Sequence, residues 1–125
     1  MHAGSRIPSY CSATGKALLA FLPQPDLDNL LDRIELQPRG PRSVGNRAAL
    51  VAELGQVRRT GIALNDEELD SGLRSIGVPV RSRAGTVVAA INLAFPWSPV
   101  AMSELADQFG PALQTTARQI SSLAI

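Results

Sequence analysis

Two long runs rich in strand-forming residues, Arg74 to Val80 and Thr86 to Phe95, flank a turn around Ser82 to Gly85. Joined so closely, they read as an antiparallel hairpin, in which successive residues face opposite sides and directly opposed residues share one. With Ser75 opposite Asn92 and Gly77 opposite Ala90, one face collects Ser75, Gly77, Pro79, Ala90, Asn92 and Ala94, all small or polar. The other collects Ile76, Val78, Val80, Val87, Ile91 and Leu93. The aliphatic face calls for helices packed on it as core. The small face leaves two outcomes open: a hollow that holds something other than protein, or helices that come close over the small side chains.

Helical patterns lie on both sides of the hairpin. From Ala13 to Leu22 nearly every residue is apolar apart from Thr14, Gly15 and Lys16, which describes a short helix buried on most sides and capped by Ser12 or Thr14. Pro23 and Pro25 end it. Leu27, Leu30, Leu31 and Ile34 then recur at helical spacing, with Asp26, Asp28 and Asp32 on the other side. The first ten residues are irregular, and residues 37–43, broken by Pro38, Gly40 and Pro41, form a surface loop. Leu50, Leu54 and Val57 mark a third helix, opened by Asn46, closed at Gly61 and carrying Arg58 and Arg59 in its last turn, where cations suit the helix dipole. Ile62 to Leu64 is a short strand, joined to the hairpin through the acidic stretch Asn65-Asp66-Glu67-Glu68. A final helix over 103–123 carries Leu105, Phe109, Leu113, Ala117 and Ile120 at helical intervals, with a kink at Gly110-Pro111.

At 125 residues the chain fits one domain, which buries roughly two-thirds of the surface its unfolded form exposes. Ten glycines and nine prolines suit several short elements joined by turns. Twelve basic against eleven acidic residues leave a net charge of +1, so no broad positive field recruits a phosphate backbone to this segment. The lone cysteine, Cys11, forms no intrachain disulfide, and a reducing, cytoplasmic setting is expected. The longest apolar stretches, residues 17–22 and 86–95, fall well short of the ~20 residues a bilayer span needs, so no membrane partner is expected. The N-terminal residues lack the basic cluster and apolar run of a signal peptide.

Candidate chemistry is sparse. Ser12-Ala13-Thr14-Gly15-Lys16 opens a buried helix, where free backbone N–H groups suit a carboxylate, although an ordinary Ser or Thr N-cap explains the same residues. Gly15-Lys16 is not a phosphate-binding loop, because Tyr10 stands where its first glycine belongs and Ala17 where its Ser or Thr belongs. His2 is the only histidine and sits near the terminus, so neither a Ser-His-Asp nor a Cys-His catalytic set assembles. Cys11 reads as a small buried hydrophobe, and one Cys with one His makes no structural zinc site. Asp66, Glu67 and Glu68 read as a solvated loop or helix-start cluster rather than a catalytic carboxylate pair. Trp97, after Pro96, reads as a packing lid or interface residue. Neither a cofactor nor a metal is expected.

Several strings in order carry a resemblance: Tyr10 to Ala20 (YCSATGKALLA), Gly61 to Glu68 (GIALNDEE), Gly72 to Val80 (GLRSIGVPV) and Gly85 to Asn92 (GTVVAAIN). Together they are similar to the effector-binding domain of isocitrate-lyase-regulator (IclR-type) bacterial transcription regulators, closest to the branch controlling protocatechuate, 4-hydroxybenzoate and β-ketoadipate catabolism. The resemblance implies an α+β, GAF-like fold with an antiparallel sheet flanked by helices, no enzymatic activity, and a small carboxylic acid effector. It also implies oligomers that hold winged helix-turn-helix domains on DNA. Residues 1–125 would be the C-terminal part of the sensing domain, with the DNA-binding domain, a linker helix and the first sheet strands absent. The sheet edge so exposed is expected to pair with itself or with the missing segment.

The resemblance places Ala13 and Thr14, next to Ser12, where backbone N–H groups hold an effector carboxylate. Asn65 and Ser75 fall where the name-giving member has an aspartate and a cysteine lining its glyoxylate or pyruvate pocket; Asn92 and Ala94 fall where it has two serines. These departures point away from glyoxylate and pyruvate and towards a larger or more aromatic acid. Ser75, Asn92 and Ala94 all lie on the small, polar hairpin face. Two other readings remain: a GAF-type small-molecule enzyme, and an oligomerisation module with a vestigial pocket.

Overall fold

Strong alternation and a tight turn produce a long hairpin at the centre of the computed structural model, which describes residues 12–34, 36, 45–68 and 71–123. β1 (Ala63–Asp66), β2 (Leu73–Arg81) and β3 (Val87–Pro96) form an antiparallel sheet in that spatial order, with β2 in the middle. Ser75 pairs with Ala94, Gly77 with Asn92 and Pro79 with Ala90. The expected register, Ser75 with Asn92, is therefore off by two residues. A bulge between Val80 and Arg81 lengthens one side of the ladder next to the turn. Because the side-chain period is two, the two-residue offset leaves Ala90, Asn92, Ala94, Ile91 and Leu93 on their expected faces, while beyond the bulge Val87 pairs with Arg81, in phase with the small-residue face, and not with Val80 as expected.

Helices cover the two faces. On the small-residue face lie α1 (Ala13–Leu19), α2 (Gln24–Arg33) and α3 (Arg47–Thr60). Their core holds Ala13, Ala17, Leu19, Leu27, Leu50 and Leu54 with Ala63 from β1 and partly buried Ala90 from β3. On the aliphatic face lies α4 (Met102–Ser121), where Ala117, Leu113 and Ile120 meet Val78, Val80 and Ile91. Phe95 and Phe109 add a tilted ring pair 5.7 Å apart on the α4 side. The fold is α+β, helices on both sides of an antiparallel sheet.

Local chemistry sets the element ends. Ser12 Oγ accepts from Gly15 N at 3.0 Å, and Asn46 Oδ1 accepts from Ala49 N at 2.8 Å, so each caps its helix as read from the sequence. Gly61, at φ +73°, ends α3 in the left-handed conformation that glycine adopts without penalty. Pro23 and Pro25 do more than end the first helix: with the fixed φ that suits a first turn, they open α2. The first helix itself ends at Leu19 rather than Leu22. The first strand runs Ala63–Asp66 rather than 62–64, because pairing with Arg74 to Gly77 draws Asn65 and Asp66 into the ladder. α4 passes through Gly110 and Pro111 as one helix; a Cβ at Gly110 would lie 2.6 Å from Ile62 Cδ1, so the glycine lets α4 sit close to the start of β1. Residues 1–11 and 37–44, including His2, Cys11 and the expected surface loop, lie outside the described residues.

Candidate functional site

At Gly77 the open question about the small face has a local answer. A Cβ there would lie 2.8 Å from the carbonyl oxygen of Ala13 and 2.9 Å from its carbon, so the missing side chain lets the start of α1 rest directly on β2. Close helix approach is thus what this position provides. One pair further along the same face the situation changes. Asn65 and Ser75 are cross-strand partners, 2% and 4% exposed, and are the only neutral polar residues buried to that degree among the described residues.

Their hydrogen-bonding capacity is largely unspent. Asn65 Oδ1 accepts from the backbone N–H of Glu68 at 3.0 Å. A backbone nitrogen only donates, so the atom facing it is the amide oxygen and the NH₂ end points away. Neither that NH₂ nor the Ser75 hydroxyl has a hydrogen-bond partner among the described residues. Neither atom is sealed from solvent, so water can satisfy both, and a ligand that displaced it would have to offer hydrogen bonds of its own.

The other expected site residues lie around this pair. Ala94 sits opposite Ser75, so Asn65, Ser75 and Ala94 form one row across the three strands; Ala63, Gly77 and Asn92 form the next. Asn92 and Ala94 are exposed, on the strand whose far edge carries no partner strand among the described residues. Ser12 and Thr14 are partly buried and Ala13 is buried, at the start of α1 above Gly77. The seven residues therefore share one face, closed at Asn65 and Ser75 and open at β3. A separate open groove of about 470 Å³ lies on the sheet's turn end, bordered by Arg81, Gln114 and Arg118, and none of the seven residues lines it.

Beside the pair sits an ionic cluster that the sequence did not announce. Lys16 is fully buried, with its Nζ donating to Glu53 Oε1 and Glu68 Oε2, each at 2.5 Å, and to the carbonyl of Leu64 at 2.8 Å. Burial pushes the Glu68 carboxyl above the ordinary carboxylate range; Lys16 pulls it back and Glu53 adds to the rise. The reading of Asp66, Glu67 and Glu68 as a solvated acidic cluster fails at two of its three members. Glu68 is 6% exposed, and Asp66 Oδ1 accepts from Arg74 Nε at 3.0 Å. Arg74, itself buried, also donates to the carbonyls of Ser98 and Val100, tying the loop after β3 to the sheet.

The match to known proteins now decides the family. A family model described as the bacterial transcriptional regulator IclR C-terminal region matches residues 1–122. The chain belongs to this family. It is 38% identical to the Pca regulon regulatory protein of Pseudomonas putida over 117 residues, 94% of this chain and 40% of that protein. The chain thus spans less than half the length of this curated relative. Among solved structures, the C-terminal domain of the Escherichia coli regulator KdgR matches with a TM-score of 0.86 at 35% identity, covering 95% of this chain and 72% of that one. The inducer-binding domain of an Acinetobacter PobR double mutant, solved with 3-hydroxybenzoic acid, matches with a TM-score of 0.89 at 29% identity, covering 98% of this chain and 70% of that one. These IclR-type relatives are transcription regulators, and the chain corresponds to their effector-binding domain. No helix among the described residues is long and apolar enough to cross a membrane.

Proposed function

We propose that this domain binds a small carboxylic acid, an aromatic acid or a β-ketoadipate-like one, and thereby modulates DNA binding by a longer IclR-type regulator. The observation that carries the reading is the buried pair Asn65 and Ser75, whose amide NH₂ and hydroxyl lack partners among the described residues on the face the family resemblance assigns to the effector. The 3-hydroxybenzoic acid held by the PobR inducer domain supports the choice of an aromatic acid. The carboxylate meets the backbone N–H groups of Ala13 and Thr14, since Ser12 already occupies those of Gly15 and Lys16. The far end of the acid meets Asn65 and Ser75, with Asn92 and Ala94 at the open side. No bond is made or broken. Regulation follows only from a different affinity of the acid for two arrangements of the oligomer, which is what lets a sensing domain shift a DNA-binding equilibrium.

Calorimetry with protocatechuate, 4-hydroxybenzoate, β-ketoadipate and pyruvate tests this directly: heat of binding from at least one of the first three is expected, and no heat from any of the four overturns it. The contact of Ala13 with Gly77 favours a second reading, an oligomerisation module whose hollow has closed, and that reading predicts the silent titration.

A further inference from the structure

A net charge of +1 conceals an uneven distribution. The segments 56–62, 78–88 and 112–123 hold Arg58, Arg59, Arg81, Arg83 and Arg118, and no aspartate or glutamate. The fold brings these segments together at the turn end of the sheet. Arg58 Nη1 donates to the carbonyl of Ala20 just past α1, and the Arg81 guanidinium lies 4.7 Å over the Phe21 ring. Ser121 Oγ, at the end of α4, donates to the Arg81 carbonyl at 2.6 Å, and Gln114 Nε2 donates to the Thr60 carbonyl at the end of α3 at 3.2 Å. All five arginines are exposed, and none forms an ion pair among the described residues. Helix ends do not account for so many cations. α1, α3 and α4 all finish here, but each C-terminus carries only about half a negative charge, so together they offset roughly one and a half of the five positive ones.

The groove of about 470 Å³ opens in this surface, with Arg81 on its hairpin wall and Arg118 on its α4 wall. That volume suits a small molecule. Val78 and Pro79, which also line it, belong to the stretch of β2 beyond Gly77, where pairing with β1 has ended. This edge is a poor template for another strand: Pro79 has no N–H to give, and the Arg81 carbonyl already accepts from Ser121. Side chains are what it offers. Of the five N–H donors on each guanidinium, Arg81 spends one on the Gly85 carbonyl at 3.0 Å and Arg118 one on Thr115 Oγ1 at 3.1 Å, among the described residues. No described carboxylate lines the groove. We propose that it is a second ligand site, separate from the face that holds Asn65 and Ser75, and that it takes a small molecule bearing two or more phosphate groups. A tetrahedral phosphate presents oxygen edges to guanidinium forks arriving from both walls, whereas a planar carboxylate presents its edge to one. Arg58, Arg59 and Arg83 raise the local potential that draws the anion in.

Calorimetry with pyrophosphate, orthophosphate and citrate at constant ionic strength reads this out. Pyrophosphate should bind about tenfold tighter than either of the others. Arg118→Gln removes one fork from a residue whose described side-chain bond stays within its own helix, and should weaken pyrophosphate about tenfold. Arg33→Gln removes the same charge from the exposed end of α2 and should leave the affinity unchanged. Equal losses from the two substitutions would reduce the effect to net charge and overturn the site. Citrate bound as tightly as pyrophosphate, no heat from pyrophosphate, or a short DNA duplex bound in preference to it would each overturn the assignment to a small phosphate compound. Arg81→Gln removes the opposite fork independently, so a poorly folding Arg118→Gln leaves the result decisive.

Discussion

Lys16 shows why single residues are the hardest feature of this chain to read from its sequence. There it is one polar position in an apolar run. Its partners lie 37 and 52 residues away, on α3 and after β1, so no local spacing marks it as the centre of a buried ion cluster. Ser12 and Asn46, by contrast, act within three residues of themselves, and their caps are legible. The cluster makes two predictions. Lys16→Met leaves Glu53 and Glu68 without their ammonium and should cost about 3 kcal/mol in denaturant unfolding. Adding Glu68→Gln should recover part of that loss, since it removes one of the stranded charges; strict additivity of the two costs would show that the pair is not coupled. The second concerns pH. Burial holds the folded Glu68 pKa above its unfolded value, so the stability tied to its protonated form is fully present below the ordinary carboxylate range and is lost as pH rises through the raised value. Glu68→Gln cannot ionise. Relative to the unsubstituted chain it should gain stability as pH climbs through that window, and parallel pH profiles for the two proteins would count against a raised pKa.

At the level of elements, the sequence speaks clearly about what faces what and poorly about what sits opposite what. Alternation assigns Ser75 and Gly77 to one face and Ile76 and Val78 to the other, and the two cores follow that division. The register escapes it because an offset of two residues changes no face, and the two contributions to it, a turn wider by one residue and a one-residue bulge near Arg81, have no signature in the turn residues. The choice between a hollow and a close helix on the small face is likewise beyond the pattern, since both need small side chains. Gly77 separates them. Gly77→Ala would drive a Cβ into the backbone of Ala13, which cannot rotate aside as a side chain can, and should destabilise the fold by about 1–3 kcal/mol. It should also lift the start of α1 and weaken acid binding. Pro79→Ala on the same face, two residues along β2, provides the comparison; if both substitutions proved equally mild, α1 would not be seated on β2 as described.

For the whole molecule, the unusual feature is β3. Its ten residues, VVAAINLAFP, contain no charge, and Val88 is 51% exposed and Leu93 38% exposed. Such an apolar run suits a strand flanked on both sides, yet among the described residues only β2 pairs with it. Edge strands in stable monomers carry lysines, prolines within the strand or covering loops, and β3 has its one proline at the very end. The expectation from sequence, an edge that seeks a partner, therefore has a physical location. A second copy of the chain can supply one, because antiparallel pairing of two β3 edges satisfies the backbone groups of both and covers Val88 and Leu93 at once. Light scattering should show association that grows with concentration. Val88→Lys, on a half-exposed side chain, should shift the chain towards monomer while changing its unfolding free energy by no more than about 0.5 kcal/mol. A stable monomer at high concentration without the substitution would mean that the apolar edge is already covered, and β3 would have to be counted as an interior strand of this chain alone.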